Sequence, residues 1–521
     1  MSIRFCLAIL TLVFFSSCTK KTNQLDPDTF VFRIQSEPPN IDPAKGVDQV
    51  SIDLMNNLGE GLVQFDNEMR VIPALAETYE ISKDGMTYTF KIRKDVQWTD
   101  GVPLKAQNFV DSWKRILDPH TAGEYAYFFY DIKGAEEYNS GKTKSFEQVA
   151  IKALDDLTLE VKLKRPASYW INLPAFVVMF PVRVDVAEKF GDRFMEPEHF
   201  VGLGPYKLTE WQHDNRLVLE RNENYYGKKP KIKKAIALIV EESTTAVGLF
   251  EQGMLDFMRK LPTLQVDQYK DDPRFHFQSY FRNYYYAFNQ KKKPFDNVKV
   301  RKALAYAIDR DELVRILRGG RDPIRSWIPK GMLGYSEDIG VGFDTNMAKK
   351  LLAEAGYPEG KNFPKVVASF DVREDNKVVA EAIQGMWKRH LGISVELSSM
   401  EWKVYLEQMR SDASQIFRLG WGADFPDPDN FMNLFLSTSG NNHTRWANNE
   451  YDSLIQKASA EQAPSMRAKL YNQAQKILLE EDVVIIPLFL ESLDYLLSPR
   501  VKNFNLDQMN NMFIKNFNLN N

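Results

Sequence analysis

Two periods of apolar residues alternate along this chain. Over 87–93 the period is two: Tyr88, Phe90 and Ile92 fall on one face, Thr87, Thr89, Lys91 and Arg93 on the other, which predicts a half-buried strand. Lys83-Asp84-Gly85 precedes it as a turn, so residues 77–93 form a predicted hairpin. Leu159, Val161 and Leu163 repeat the alternation over 157–163. Elsewhere the spacing is helical. Val300, Leu304, Ala307, Ile308, Leu313 and Ile316 predict one helix over 297–317, capped by Asp296 or Asn297. A shorter helix is predicted over 346–355, stopped by Gly356 and Pro358, and others over 376–390 and 465–479. A strand-like apolar run returns at 482–497. The repeated switching between periods predicts α/β lobes rather than an all-α or all-β fold.

Residues 1–17 stand apart from this pattern. Arg4 gives a positive start, residues 5–15 are apolar except for Thr11, and Ser16-Ser17-Cys18 follows. So short a run cannot span a bilayer and has the form of a signal-peptide core. The small residues before Cys18 resemble a bacterial lipoprotein signal, in which Cys18 becomes the lipidated first residue, although Phe15 departs from that pattern; the alternative is an ordinary secretory signal. The only other cysteine is Cys6, inside that leader, so the exported part has no disulfide to form. Residues 18–28 read as a tether. With 521 residues, the chain has room for two to four domains of ordinary size, and 44% hydrophobic with 26% charged residues predicts a packed soluble fold. A net charge of −3 gives no electrostatic case for nucleic acid.

Familiar catalytic patterns are absent. The six histidines are scattered, with no i, i+4 pair and no cysteine to complete a zinc site. Residues 134–143, GAEEYNSGKT, end like a phosphate loop, but Asn139 replaces a required glycine and two glutamates precede it. No metal, cofactor or catalytic residue is assigned, and no enzyme activity is expected. The most informative stretch is RLGWGADFPDPDNF at 418–431. An acid beside an aromatic can hold an ammonium group. Equally, Asp and Asn can serve turns and caps here, with Trp421 in the core.

Several ordered blocks carry a resemblance to a known family. They are SEPPNIDP at 36–43, GEGLV at 59–63, DGMTYTF at 84–90 with VQWTDG at 96–101, FVDSWKR at 109–115, RNENYY at 221–226 and KPFDNVKVRKAL at 293–304. Together they resemble the bacterial extracellular solute-binding proteins of peptide ABC transporters, the oligopeptide- and dipeptide-binding family 5. The resemblance implies a bilobal periplasmic-binding-protein fold (type II, cluster C) with an extra inserted domain. Lobe I would combine residues 29–63, 180–281 and 489–521, the inserted domain would be 64–179, and lobe III 282–488. It implies a lipid-anchored receptor at the bacterial cell surface or in the periplasm, acting as a monomer. That receptor would close on an oligopeptide and deliver it to ABC permease subunits. A non-peptide solute such as a metal chelate, opine or oligosaccharide is the alternative, and an envelope hydrolase a more distant one. By resemblance Asp424 would pair with the peptide ammonium, Trp421 and Trp402 would line the pocket, and Arg418 would receive the carboxylate. Tyr280 and Tyr285 match site aromatics. Arg259 and Lys260 stand where a relative has uncharged polar residues, and Asn376 replaces a histidine. If the two cations face the cleft, they favour an acidic ligand or a carboxylate there.

Overall fold

The computed structural model describes residues 26–317 and 319–520; the leader and Cys18 lie outside them. Among the described residues the largest sheet has eleven strands. Its main path runs Val395–Met400, Val366–Asp371, Ile416–Gly422, Phe275–Phe288, Ile485–Leu497, Phe257–Arg259, Thr29–Ile34, Lys234–Ile239, Arg216–Arg221, Tyr206–Gln212. The two central strands are long, 14 and 13 residues. They pair antiparallel with each other and carry one group of strands on each side. Parallel pairs occur on both sides: Thr29–Ile34 with Lys234–Ile239, and Val366–Asp371 with Val395–Met400. The late apolar run is therefore a strand, and it returns to Phe257–Arg259 on the N-terminal side of the sheet.

A second sheet, of four antiparallel strands, is made by Ala76–Ile81, Thr87–Ile92, Thr158–Lys162 and Ile151–Asp155. The period-two pattern explains its core face: Tyr88, Phe90 and Ile92 are buried with Leu159 and Val161. Each such side chain contributes about 1.5–3 kcal/mol on burial. Helix Ala106–Leu117 packs over this core through Phe109 and Trp113. Trp113 meets Phe109 and Phe129 edge-on, at centroid distances of 6.0 and 5.6 Å. Its indole N–H donates to the Met179 carbonyl at 3.0 Å, so the one polar atom of the ring is satisfied.

One expected helix is two. Residues 297–317 divide into Val298–Tyr306 and Arg310–Leu317. Asn297 caps the first, its side chain accepting from the Lys299 amide. Asp309 then intervenes, accepting from the Glu312 amide at 3.0 Å through its side chain and from the Leu313 amide at 3.1 Å through its carbonyl. A side chain that caps a new helix competes with continuation of the old one. Val300 and Leu304 of the first helix, Leu313 of the second, and Ala307 and Ile308 between them face one core, whereas Ile316, expected on the same face, is exposed. The helices Thr345–Glu354 and Glu374–Leu391 lie where helical spacing places them. The helix Pro464–Lys476 passes into a wider turn at Ile477–Glu481. No described helix is long and apolar enough to cross a membrane.

Trp113→Ala is expected to lower unfolding free energy by about 3–5 kcal/mol, the usual cost of emptying a large aromatic site. Denaturant titration of the two proteins measures this.

Candidate ligand-binding cleft

The central strand pair shifts register twice, first between Ser279 and Asn283 and again between Tyr284 and Tyr285. Ser279 opposes Ser492 and Asn283 opposes Leu490, so residues 280–282 face the single residue Glu491. Such a bulge re-aims side chains. Tyr280, Arg282 and Glu491 all turn toward a cavity of about 650 Å³. Phe281 points into the core instead. Its amide donates to the Gln508 carbonyl at 2.6 Å and its carbonyl accepts from the Ala423 amide at 2.8 Å, so the bulge leaves these two groups satisfied.

The floor of this cavity is rich in guanidinium groups. Arg418 is 2% exposed. Its Nη1 donates to Asp371 at 2.8 Å, its Nη2 lies 3.6 Å from Glu491, and its guanidinium sits 4.2 Å from the Tyr284 ring centroid. Nε and Nη2 are buried without a hydrogen-bond acceptor, an arrangement that favours an incoming anion. Arg373 shares Asp371 at 3.0 Å and Arg282 reaches Glu491 at 3.3 Å. Three arginines thus share two carboxylates. Asn376 is part of the same floor: it donates to Asp371 Oδ1 at 2.8 Å and accepts from the Tyr284 hydroxyl at 3.0 Å. Burial pushes the Tyr280 phenol up to about 12, with Glu491 adding to the effect, so Tyr280 presents a neutral hydroxyl at ordinary pH.

Beyond the end of strand Ile416–Gly422 the chemistry inverts. Asp424 is partly buried and has no cationic partner among the described residues. Its amide donates to Asn430 Oδ1 at 3.3 Å, and Asn430 Nδ2 stands 3.5 Å from its carboxylate. The same Asn430 oxygen accepts from the Trp421 indole at 2.9 Å. Desolvation raises the Asp424 carboxyl above its ordinary value, against the pull of Asn430. Tyr125 and Tyr127, from the four-stranded-sheet region, lie close enough for the Asp424 charge to raise their phenols further. Phe425 stacks on Tyr169 at 5.6 Å. The loop thus holds a desolvated carboxylate among aromatic rings, with no positive charge to balance it.

Other expected positions separate. Lys260 lines the cavity, but Arg259 does not. Arg259 is tied to Asp53 and to the Asn510 carbonyl, the latter at 2.9 Å; it is a packing cation. Tyr285 also differs from its expected place at the site. At 2% exposure it packs edge-on to Trp327 at 4.9 Å and Phe435 at 6.1 Å; its neighbour Tyr284 takes the cavity side. Trp402, first residue of helix Trp402–Asp412, is 47% exposed and outside the cavity lining. Asp371, Glu491, Arg282 and Arg373 were not identified from sequence. Nothing local to them distinguishes them from surface charges, because their pairing is made by the sheet.

A family model described as bacterial extracellular solute-binding proteins, family 5 Middle, matches residues 70–443. The oligopeptide-binding protein OppA of Bacillus subtilis is 36% identical over 87% of this chain and 86% of its own length. The periplasmic OppA of Salmonella typhimurium is 33% identical over 94% and 92%. Among solved structures, the unliganded open form of the periplasmic murein tripeptide binding protein MppA is 30% identical, with a TM-score of 0.87, covering 95% of this chain and 98% of that one. The Haemophilus influenzae OppA complex with the peptide RPPGFSPFR is 32% identical, with a TM-score of 0.70, over 95% and 100%. Fold and cleft are those of a bilobal solute-binding protein, not an enzyme. The chain belongs to the bacterial extracellular solute-binding proteins of family 5.

The acid-bearing loop rests on a buried polar cluster. Asp427 accepts both Arg467 terminal nitrogens, at 3.0 and 2.8 Å. Asp429, fully buried, accepts from Ser459, from Asn433 and from the Tyr471 hydroxyl, the last at 3.1 Å. Desolvation, then the neighbouring Asp427 charge, pushes the Asp429 carboxyl up to about 7. A carboxyl raised in the folded state stabilises the fold below its unfolded pKa of about 4, and that stability is lost as pH rises toward the folded value. Thermal melts between pH 4 and 7.5 should therefore fall more steeply for the parent protein than for Asp429→Asn. Parallel pH profiles would remove Asp429 as the titrating group.

Proposed function

We propose that the protein is a lipid-anchored, extracytoplasmic receptor that captures oligopeptides between two hinged lobes and delivers them to an ABC permease. The observation that supports this reading is a pair of opposite charges carried by one strand and the loop after it. Arg418 lies in the cavity floor with two nitrogens that lack a hydrogen-bond acceptor. Asp424 is desolvated and without a cationic partner among the described residues, outside the lining of that cavity in this conformation. A peptide zwitterion matches this polarity: its ammonium completes Asp424 and its carboxylate completes Arg418. Trp421 walls the ammonium end, while Tyr280 and Asn376 belong to the carboxylate end. Trp402, exposed in this conformation, is assigned to the ligand wall of the closed form. An extended backbone would add sheet-like hydrogen bonds, with side chains in hydrated space.

The named relatives support the ligand class: the most similar of those described is an oligopeptide-binding protein, and one solved neighbour holds a nonapeptide. The higher TM-score with an unliganded open form supports a hinge that is open here. We assign lobe I to 29–63, 180–281 and 489–521, the inserted domain to 64–179 and lobe III to 282–488. The register shift at 280–282 supports a boundary there. Cys18 is assigned as the lipid attachment residue, residues 18–28 as the tether, and the receptor as a monomer.

Asp424→Ala should weaken oligopeptide binding by about 3–5 kcal/mol, the usual cost of leaving one partner of a buried ion pair alone. Titration calorimetry giving the same affinity for both proteins would reject Asp424 as the ammonium clamp.

A further inference from the structure

Lys260 is held in a costly position without an evident structural return. Its φ is +65°, a region that side-chain-bearing residues rarely occupy and that marks functional sites when the surroundings enforce it. Here they do. The Lys260 amide donates to the Asp494 carbonyl at 2.8 Å, and the next amide, of Leu261, donates to the Asp494 carboxylate at 2.6 Å. Asp494 sits on the central strand Ile485–Leu497, so the turn is fixed to the sheet. The turn presents an exposed lysine to the cavity. Among the described residues no salt bridge or side-chain hydrogen bond holds its Nζ, although its charge is felt by Asp494.

The acids around Lys260 are already engaged. Asp494 serves the Leu261 amide at 2.6 Å; burial raises its carboxyl, against the pull of that amide and of the Lys260 and Arg321 charges. Asp375, across the cavity, is bonded by Arg321 at 2.6 Å. Deeper in, Arg282, Arg373 and Arg418 share Asp371 and Glu491, an excess of one positive charge. One ligand carboxylate balances that excess. Lys260 is left for another.

We propose that Lys260 is a specificity residue that binds an anionic side chain of the ligand. The preferred ligands are then acidic oligopeptides carrying a carboxylate in addition to the C-terminal one. This rests on the peptide reading given above. Asp267, on helix Thr263–Tyr269, also lines the cavity and has an interaction of its own.

The test is calorimetry with alanine tri-, tetra- and pentapeptides carrying one glutamate at each position in turn, against glutamine isosteres. The parent protein should favour glutamate over glutamine by roughly tenfold at one position, a difference of one charge pair. Lys260→Gln should abolish the preference while keeping the glutamine peptides within about twofold. Lys260→Gly, which suits the left-handed backbone, should behave alike and guards against a folding defect. No glutamate preference in the parent overturns the proposal. So does a preference that survives in both variants. Failure of every peptide to bind overturns the peptide reading itself, and with it this one.

Discussion

The antiparallel pairing of Phe275–Phe288 with Ile485–Leu497 is the constraint on which the rest is built. Strands from both parts of the molecule add to this pair, one group through Phe257–Arg259 and the other through Ile416–Gly422. A pair this long imposes period two on its side chains, so alternate residues must face opposite sides. Register shifts twice along it, and the wider shift, three residues against one, falls at 280–282. It turns Tyr280 and Arg282 into the cavity, opposite Glu491, while Phe281 stays in the core. The cleft lies where the two groups of strands meet because the bulge lies there.

Arg418 and Asp424 are set by opposite physical means. At Arg418 charge is buried but shared: its partner Asp371 also serves the half-exposed Arg373, and Glu491 also serves the part-exposed Arg282. Buried pairs of this kind gain little net stability, but they hold Arg418 rigidly with two nitrogens still free of hydrogen bonds. Asp424, beyond the end of the same strand, is desolvated, and among the described residues Asn430 alone supports it. That is a cost in the empty protein, and a cation removes it. Affinity of this kind depends on what the free site lacks.

Much of the scaffold was legible because it follows period. The hairpin, the strand at 158–162 and the returning late strand are where alternation placed them. The helix over 297–317 was misread as continuous because apolar spacing carries no record of a cap inside it; Asp309 reveals itself only by its bonds to Glu312 and Leu313. Site residues were harder. Three consecutive tyrosines, Tyr284 to Tyr286, look alike in sequence, and only sheet register shows that Tyr284 faces Arg418 while Tyr285 faces Trp327. Arg259 and Lys260 are adjacent cations, yet Asp53 claims the first and a left-handed turn exposes the second. Asp371 and Glu491 were invisible because their roles depend on strands distant in sequence.

The central claim is that a free amino terminus completes Asp424. Calorimetry of one oligopeptide in free and N-acetylated forms tests it most directly. Acetylation removes the ammonium charge but keeps the backbone and every side chain. The account predicts a loss of at least about a hundredfold in affinity on acetylation, the scale of an ion pair left half-made in a desolvated site. Equal affinity for the two forms would contradict it.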